Sequence, residues 1–326
     1  MKKLLIALLT VALFASLLPA AAQEAPLSII ALNFPAYDFA RQVAGDRAQI
    51  TMLLPPGTDA HSFEPTPRDV IALQQADLVV YNGGHGEAWV VDLLESMGEQ
   101  APASLAMMSV VDTVVEELVE GMEDVPHAHS HDDYEDDEEH DDHDGHDHDA
   151  RDLDEHVWTT PDNAEDIAKA IMRLLISLDP AGETVYRANF KAFESALEQL
   201  DEAFEALIKG AKRRTIVLGD RFPMRYFIRE YGLSYYAAFP GCAAETEPSA
   251  RTIAFLMDTI KKEDIPVVFY IEFSSQKAAR VIAAETGATP LLLHSAHNVT
   301  QEELEQGITY LDIMNQNLIN LKEALY

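Results

Sequence analysis

Imidazole and carboxylate are the commonest nitrogen and oxygen donors to divalent transition metals, and seven of the twelve histidines in this chain fall in one acidic stretch. His127, His129, His131, His140, His143, His146 and His148 alternate there with Asp and Glu, and no basic residue interrupts Asp132 to Asp149. Such a composition cannot build a packed core. It reads as a flexible loop over about 123–152 that would bind several ions weakly and exchange them fast. The ordered donors must lie elsewhere. His61 follows the apolar run ending at Leu54 through a turn rich in Pro and Gly, Pro55 to Ala60. Asp220 follows Thr215 to Leu218 after Gly219, and His294 directly follows Leu291 to Leu293. His156 precedes Thr160-Pro161, which has the form of a helix N-cap and first residue. Each could equally be a hydrogen-bonding loop residue, and spacing alone does not decide. His85 and His297 read as bystanders.

The elements that must position these donors are legible as a pattern. Short runs rich in Val, Ile and Leu alternate with amphipathic segments, which implies α/β architecture with mainly parallel sheets. Leu27 to Leu32, Ile50 to Leu54 and Leu78 to Tyr81 read as strands of a first lobe. Thr215 to Leu218, Pro266 to Ile271 and Leu291 to Leu293 read as strands of a second. Between them Tyr186, Phe190, Phe193, Leu197, Leu200, Phe204 and Leu207 recur at spacings of four and three. A helix over 180–209 would be roughly 45 Å long at 1.5 Å rise per residue, a stiff spine joining two lobes. A second amphipathic pattern, Leu304 to Leu325, closes the chain. The expected organisation is a leader over 1–22, an N-terminal lobe over 23–179 that carries the acidic loop, the spine, and a C-terminal lobe over 210–326. Ligands of open parallel sheets bind beyond the carboxyl ends of the strands, so the site is expected in the cleft between lobes.

Bulk properties narrow the partners. The formal net charge of −33 and the lack of any basic stripe exclude nucleic acid, whose phosphates need neutralising. Met1-Lys2-Lys3, the apolar run Leu4 to Leu18 and the small residues Ala20-Ala21-Ala22 have the three regions of a secretory leader. An exported protein is expected, at the outer face of the cytoplasmic membrane. The only cysteine, Cys242, lies far from that junction, so no lipid-anchoring cysteine is expected and no internal disulfide can form. No His-Glu-x-x-His helix, Gly-x-Ser-x-Gly elbow or phosphate-cradling glycine loop is present, so the chain is not expected to be an enzyme.

The segment Gly57-Thr58-Asp59-Ala60-His61-Ser62-Phe63-Glu64-Pro65-Thr66-Pro67-Arg68-Asp69 resembles the first-ligand motif of the zinc and manganese substrate-binding proteins of bacterial ABC transporters. Asn82-Gly83-Gly84 with Glu87 and Trp89 is similar to that family's next loop. Glu155-His156-Val157-Trp158 with Pro161 is similar to its second-ligand motif, and Tyr226-Phe227 with Tyr231-Gly232-Leu233 to the helix after its third ligand. The resemblance implies a monomeric receptor that captures Zn²⁺ and delivers it to an ABC permease and its ATPase. Two departures stand out. Gly219-Asp220-Arg221 occupies the place where zinc members carry a third His, and His294 the place where many carry a carboxylate. The expected ligands are therefore His61, His156, His294 and Asp220, with Glu245, Glu247, Glu272 or water as rivals for the fourth position. Asp59 and Glu64 are expected to orient the imidazoles from behind. Three His and one acid favour zinc, with Mn²⁺ ranked second. A free-standing exported zinc buffer or adhesin is the other reading.

Overall fold

The computed structural model describes residues 25–60, 63–122, 153–243 and 247–326. The leader, His61, Glu245 and the acidic loop with its seven histidines lie outside the described residues. In the first lobe β1 (Leu27–Ala31), α1 (Phe34–Ala44), β2 (Ala48–Met52), α2 (Pro67–Gln74), β3 (Leu78–Tyr81), α3 (Ala88–Met97) and β4 (Ala103–Ala106) alternate. Their strands form one parallel sheet in the order β2-β1-β3-β4. Two long helices follow, α4 (Pro161–Leu178) and α5 (Glu183–Gly210). The second lobe repeats the scheme with β5 (Thr215–Phe222), α6 (Arg225–Tyr231), β6 (Ser234–Pro240), α7 (Ala250–Glu263), β7 (Val267–Tyr270), α8 (Lys277–Thr286) and β8 (Thr289–Leu292). Its parallel sheet has the equivalent order, β6-β5-β7-β8. The chain ends in α9 (Gln301–Glu305) and α10 (Tyr310–Leu325).

Local chemistry explains the boundaries. Thr66 and Asp69 form a reciprocal capping box at α2, Thr160 caps α4 through the Asn163 N–H, and Thr309 with Asp312 caps α10. The spine α5 begins after a 3₁₀ turn, Pro180–Gly182, and buries all seven residues of the apolar stripe. Its start is fixed by Asp179, whose carboxylate takes the Arg47 guanidinium at 2.6 Å and the Tyr186 hydroxyl at 2.6 Å.

β4 and β6 were not expected, because neither Ala103–Ala106 nor Ser234–Pro240 is a run of β-branched residues. The C-terminal pattern divides at Gly307, whose φ of 75° turns the chain out of α9 and into α10. β5 continues past Leu218 to Phe222, so Gly219 and Asp220 lie within a strand and not in a loop.

The core does not respect the two lobes. One continuous cluster includes Ile29 and Phe39 from the first lobe, Phe193 and Phe204 from the spine, Leu218 and Phe269 from the second lobe, and Tyr310 from α10. The outer faces are separate: Ile30, Val79 and Val90 pack on the α2 and α3 side, Val217, Val268 and Ile282 on the α7 and α8 side.

Candidate metal-binding cleft

Loops after β2, β5, β6, β7 and β8 meet the segment before α4 around a small cavity of about 20 Å³. That is room for one water-sized particle and not for an ion with its hydration shell. Thr58, Asp59, Ala60 and His156 line it from the first lobe; Arg221, Gly241, Glu272, Ser295, His297 and Asn298 are among the residues lining it from the second.

His156 is the best-prepared donor. It is 1% exposed, and Asp154 Oδ1 accepts both its backbone N–H at 2.8 Å and its ring Nδ1 at 3.1 Å. The carboxylate thereby fixes the proton on Nδ1 and leaves the lone pair on Nε2, the usual arrangement behind a ligating imidazole. The peptide around it is clamped: Asn82 Nδ2 donates to Glu155 O at 2.7 Å, and the Tyr226 hydroxyl donates to Asp154 O at 2.7 Å. Gly241 lets this wall close. A Cβ there would stand 2.7 Å from Phe222 O and 3.2 Å from both Asp154 Oδ2 and His156 Cε1. Burial pushes the His156 pKa down, but the charge and hydrogen bond of Asp154, helped by Glu155 and Glu116, outweigh it and the net direction is up.

His297 stands opposite. Its ring centre lies 5.4 Å from that of His156 and 4.8 Å from Trp158, whose Nε1–H donates to Ser295 O at 2.8 Å. Ala296, at φ 62°, reverses the chain just after β8 and separates the two histidines of this turn. His294, by contrast, is not among the lining residues. Its Nδ1 accepts the Ala296 N–H at 2.9 Å and stands 3.4 Å from Glu272 Oε2, and its backbone is held by Asn317 at 2.9 and 2.7 Å. Asp220 is absent from the lining too. Oδ1 accepts the Arg221 N–H at 3.0 Å, and burial pushes its carboxyl above the ordinary range. The ladder between β5 and β6 is irregular between Leu218 and Arg221, and of this pair it is Arg221 that lines the cavity.

The remaining candidates separate cleanly. Glu272 lines the cavity, where it accepts the Ser295 N–H at 2.8 Å and the Ser295 hydroxyl. Glu247 pairs with Lys277 at 2.8 Å on the surface, and Glu64 and His85 are exposed. Asp59 reaches the cavity and takes the Arg221 guanidinium at 2.6 Å. Among the described residues no three His, Cys, Asp or Glu side chains converge enough to enclose an ion; His61 follows Asp59 by two positions and lies outside them. Sequence reasoning missed Asp154 and Arg221. The first had a signal in the Asp-x-His spacing; the second had none, because a basic residue does not advertise itself beside a cation site.

The profile of the family described as zinc-uptake complex component A, periplasmic, matches residues 29–324. The high-affinity zinc uptake system protein ZnuA of Bacillus subtilis (strain 168) is 32% identical over 299 residues, 92% of this chain and 88% of that protein. The zinc-binding lipoprotein AdcA of Streptococcus pneumoniae (strain ATCC BAA-255 / R6) is 29% identical over 301 residues, 92% of this chain, but the match spans only 56% of AdcA. Two solved structures share the fold. The Zn(II)-bound ZnuA-like domain of Streptococcus pneumoniae AdcA has a TM-score of 0.72 at 26% identity, covering 92% of this chain and 99% of the other. The laminin-binding protein Lmb of Streptococcus agalactiae, described as bifunctional with adhesin and metal transporting activity, has a TM-score of 0.73 at 25% identity, covering 92% and 100%.

Proposed function

The chain belongs to the family of periplasmic zinc-uptake components, and from that premise we propose that it is an extracytoplasmic receptor that captures Zn²⁺ and passes it to an ABC permease and its ATPase. The observation that carries this reading is His156, held in one tautomer by Asp154 at the wall of an inter-lobe cavity sized for a single dehydrated ion. Residues 23–179 and 210–326 serve as the lobes and 180–209 as their connector. Imidazole donors favour zinc over manganese. The proposed donors are His61, His156 and His297, with Glu272 beside them; His294 and Asp220 are the rival pair. The ion would then join the lobes directly. Because one hydrophobic core runs through both, hinge opening on the scale of a domain rotation would expose buried aromatic surface, so release depends on small loop movements.

The acidic loop, with His127, His129, His131, His140, His143, His146 and His148, is proposed to gather metal loosely near the cleft. The receptor is proposed to act as a monomer. No helix among the described residues is long and apolar enough to cross a membrane. Metal analysis after dialysis, on the whole chain and on a variant lacking 127–149, is the direct test. One tightly held zinc in both sustains the proposal; loss of that ion with the loop would move the main site there. His156→Ala and His297→Ala are expected to lose the tight ion while His294→Ala keeps it. An adhesin without transport would show no binding to membranes that carry the permease.

A further inference from the structure

We propose that Arg221 sets how tightly this cleft holds its metal, as a built-in cation that ties the lobes through Asp59 and opposes retention of the bound ion; the proposal rests on the zinc-receptor reading and deepens it. Arg221 is 5% exposed and lines the same cavity as His156 and His297. Its Nη2 donates to Asp59 Oδ2 at 2.6 Å across the cleft, and its Nη1 donates to Ala243 O at 3.3 Å. Its Nε–H is buried and has no hydrogen-bond partner among the described residues.

A guanidinium does not lose its proton at any working pH. A divalent ion that enters the cavity therefore meets a fixed positive charge in its wall. Asp59 is the partner that offsets this charge. Its side chain is 33% exposed against 6% for Arg221, so it is the partner nearer solvent. The two residues thus act on the metal with opposite signs: Arg221 pushes it out, and Asp59, by neutralising Arg221, lets it stay. A residue that merely held the lobes together would give both variants the same sign.

The test measures zinc affinity by competition with a chromophoric chelator, and zinc release by rapid mixing with excess chelator, on the full chain. Arg221→Gln is expected to bind zinc at least tenfold more tightly and to release it correspondingly slowly. Asp59→Asn, which leaves the guanidinium uncompensated, is expected to bind at least tenfold more weakly. In the Arg221→Gln background the Asp59→Asn change should shrink below threefold. Shifts of the same sign in both single variants would overturn the proposal. So would an undiminished Asp59→Asn effect in the double variant, which would mean that Asp59 acts on His61 instead. Arg221→Met carries the same expectation should Arg221→Gln fail to fold. A wild-type chain that holds no zinc would sink the receptor reading itself; a wild-type chain that binds zinc while the variants fail to diverge sinks only this inference.

Discussion

The lobes meet along two seams of different chemistry. Around the turn after β8 the contacts are neutral and largely backbone. Gly57 N–H donates to Val299 O at 2.8 Å, Phe34 N–H to His297 O at 3.2 Å, Trp158 Nε1–H to Ser295 O at 2.8 Å, and Asn298 Nδ2 to Pro55 O and Thr58 O at 2.8 and 2.9 Å. On the β5 and β6 side the lobes are joined mainly by charged side chains: Asp59 to Arg221 at 2.6 Å, Glu117 to Arg225 at 2.7 Å, and Glu116 to the Cys242 N–H at 2.7 Å. The first seam resists salt and pH because it carries no net charge to screen. The second answers to both, and to any cation that enters between its members. One wall of the cleft is thus a fixed reference, and the other is the wall that changes.

The strongest way to break this contrast is to damage the neutral seam. Trp158→Ala removes a fully buried indole that anchors the β8 turn, and a loss of about 3–5 kcal/mol is expected from urea unfolding. A loss below about 1 kcal/mol would show that the seam is not structural. Next in size, Asp154→Asn weakens the hold on the His156 tautomer, and zinc affinity at pH 8 should fall about 10–100-fold. The same variant tests the proton. With Asp154 in place the His156 pKa is raised, so a proton competes with metal from above the ordinary imidazole range, and affinity declines as pH falls through that raised value. Asn should move the onset to lower pH, and an onset that stays put would dissociate the two.

Glu87 sharpens the comparison from the rigid side. Its carboxylate accepts the N–H groups of Asn82 and Gly83 and so holds the loop that clamps Glu155, yet burial pushes its pKa up to about 7. Raised above an unfolded value near 4.5, this group contributes stability that is complete below about pH 4.5 and lost as pH rises through about 7. Glu87→Gln keeps an acceptor and cannot ionise. Its stability relative to wild type should therefore improve by about 2 kcal/mol between pH 4.5 and pH 8 in paired denaturation curves. The smallest effect belongs to the exposed end of the charged seam. Glu117 is 48% exposed where it meets Arg225, and Glu117→Ala should cost about 0.5 kcal/mol at low salt and nothing measurable in 1 M salt.

The fold was readable because its signals are long or repeated. Strand and helix alternate in both halves, and the stripe from Tyr186 to Leu207 specifies the spine without outside help. His156 lines the cavity and is marked in the sequence by its neighbours. Which residues face it depends on where a strand stops. β5 runs four residues past Leu218 with an irregular ladder between Leu218 and Arg221, and Ala296 takes a left-handed conformation between His294 and His297. Neither feature leaves a mark on composition or periodicity. The cross-lobe tie between Asp59 and Arg221 joins positions 162 residues apart, a pairing that only the completed sheets create.

Trp158 lies with its ring centre 5.6 Å from that of His156 and 4.8 Å from that of His297, and the chain contains only one other tryptophan, Trp89. The cleft therefore carries its own optical reporter. Protonation or occupation of either imidazole alters the quenching of indole emission, so loading and unloading can be followed in unlabelled protein, with Trp89→Phe removing the background.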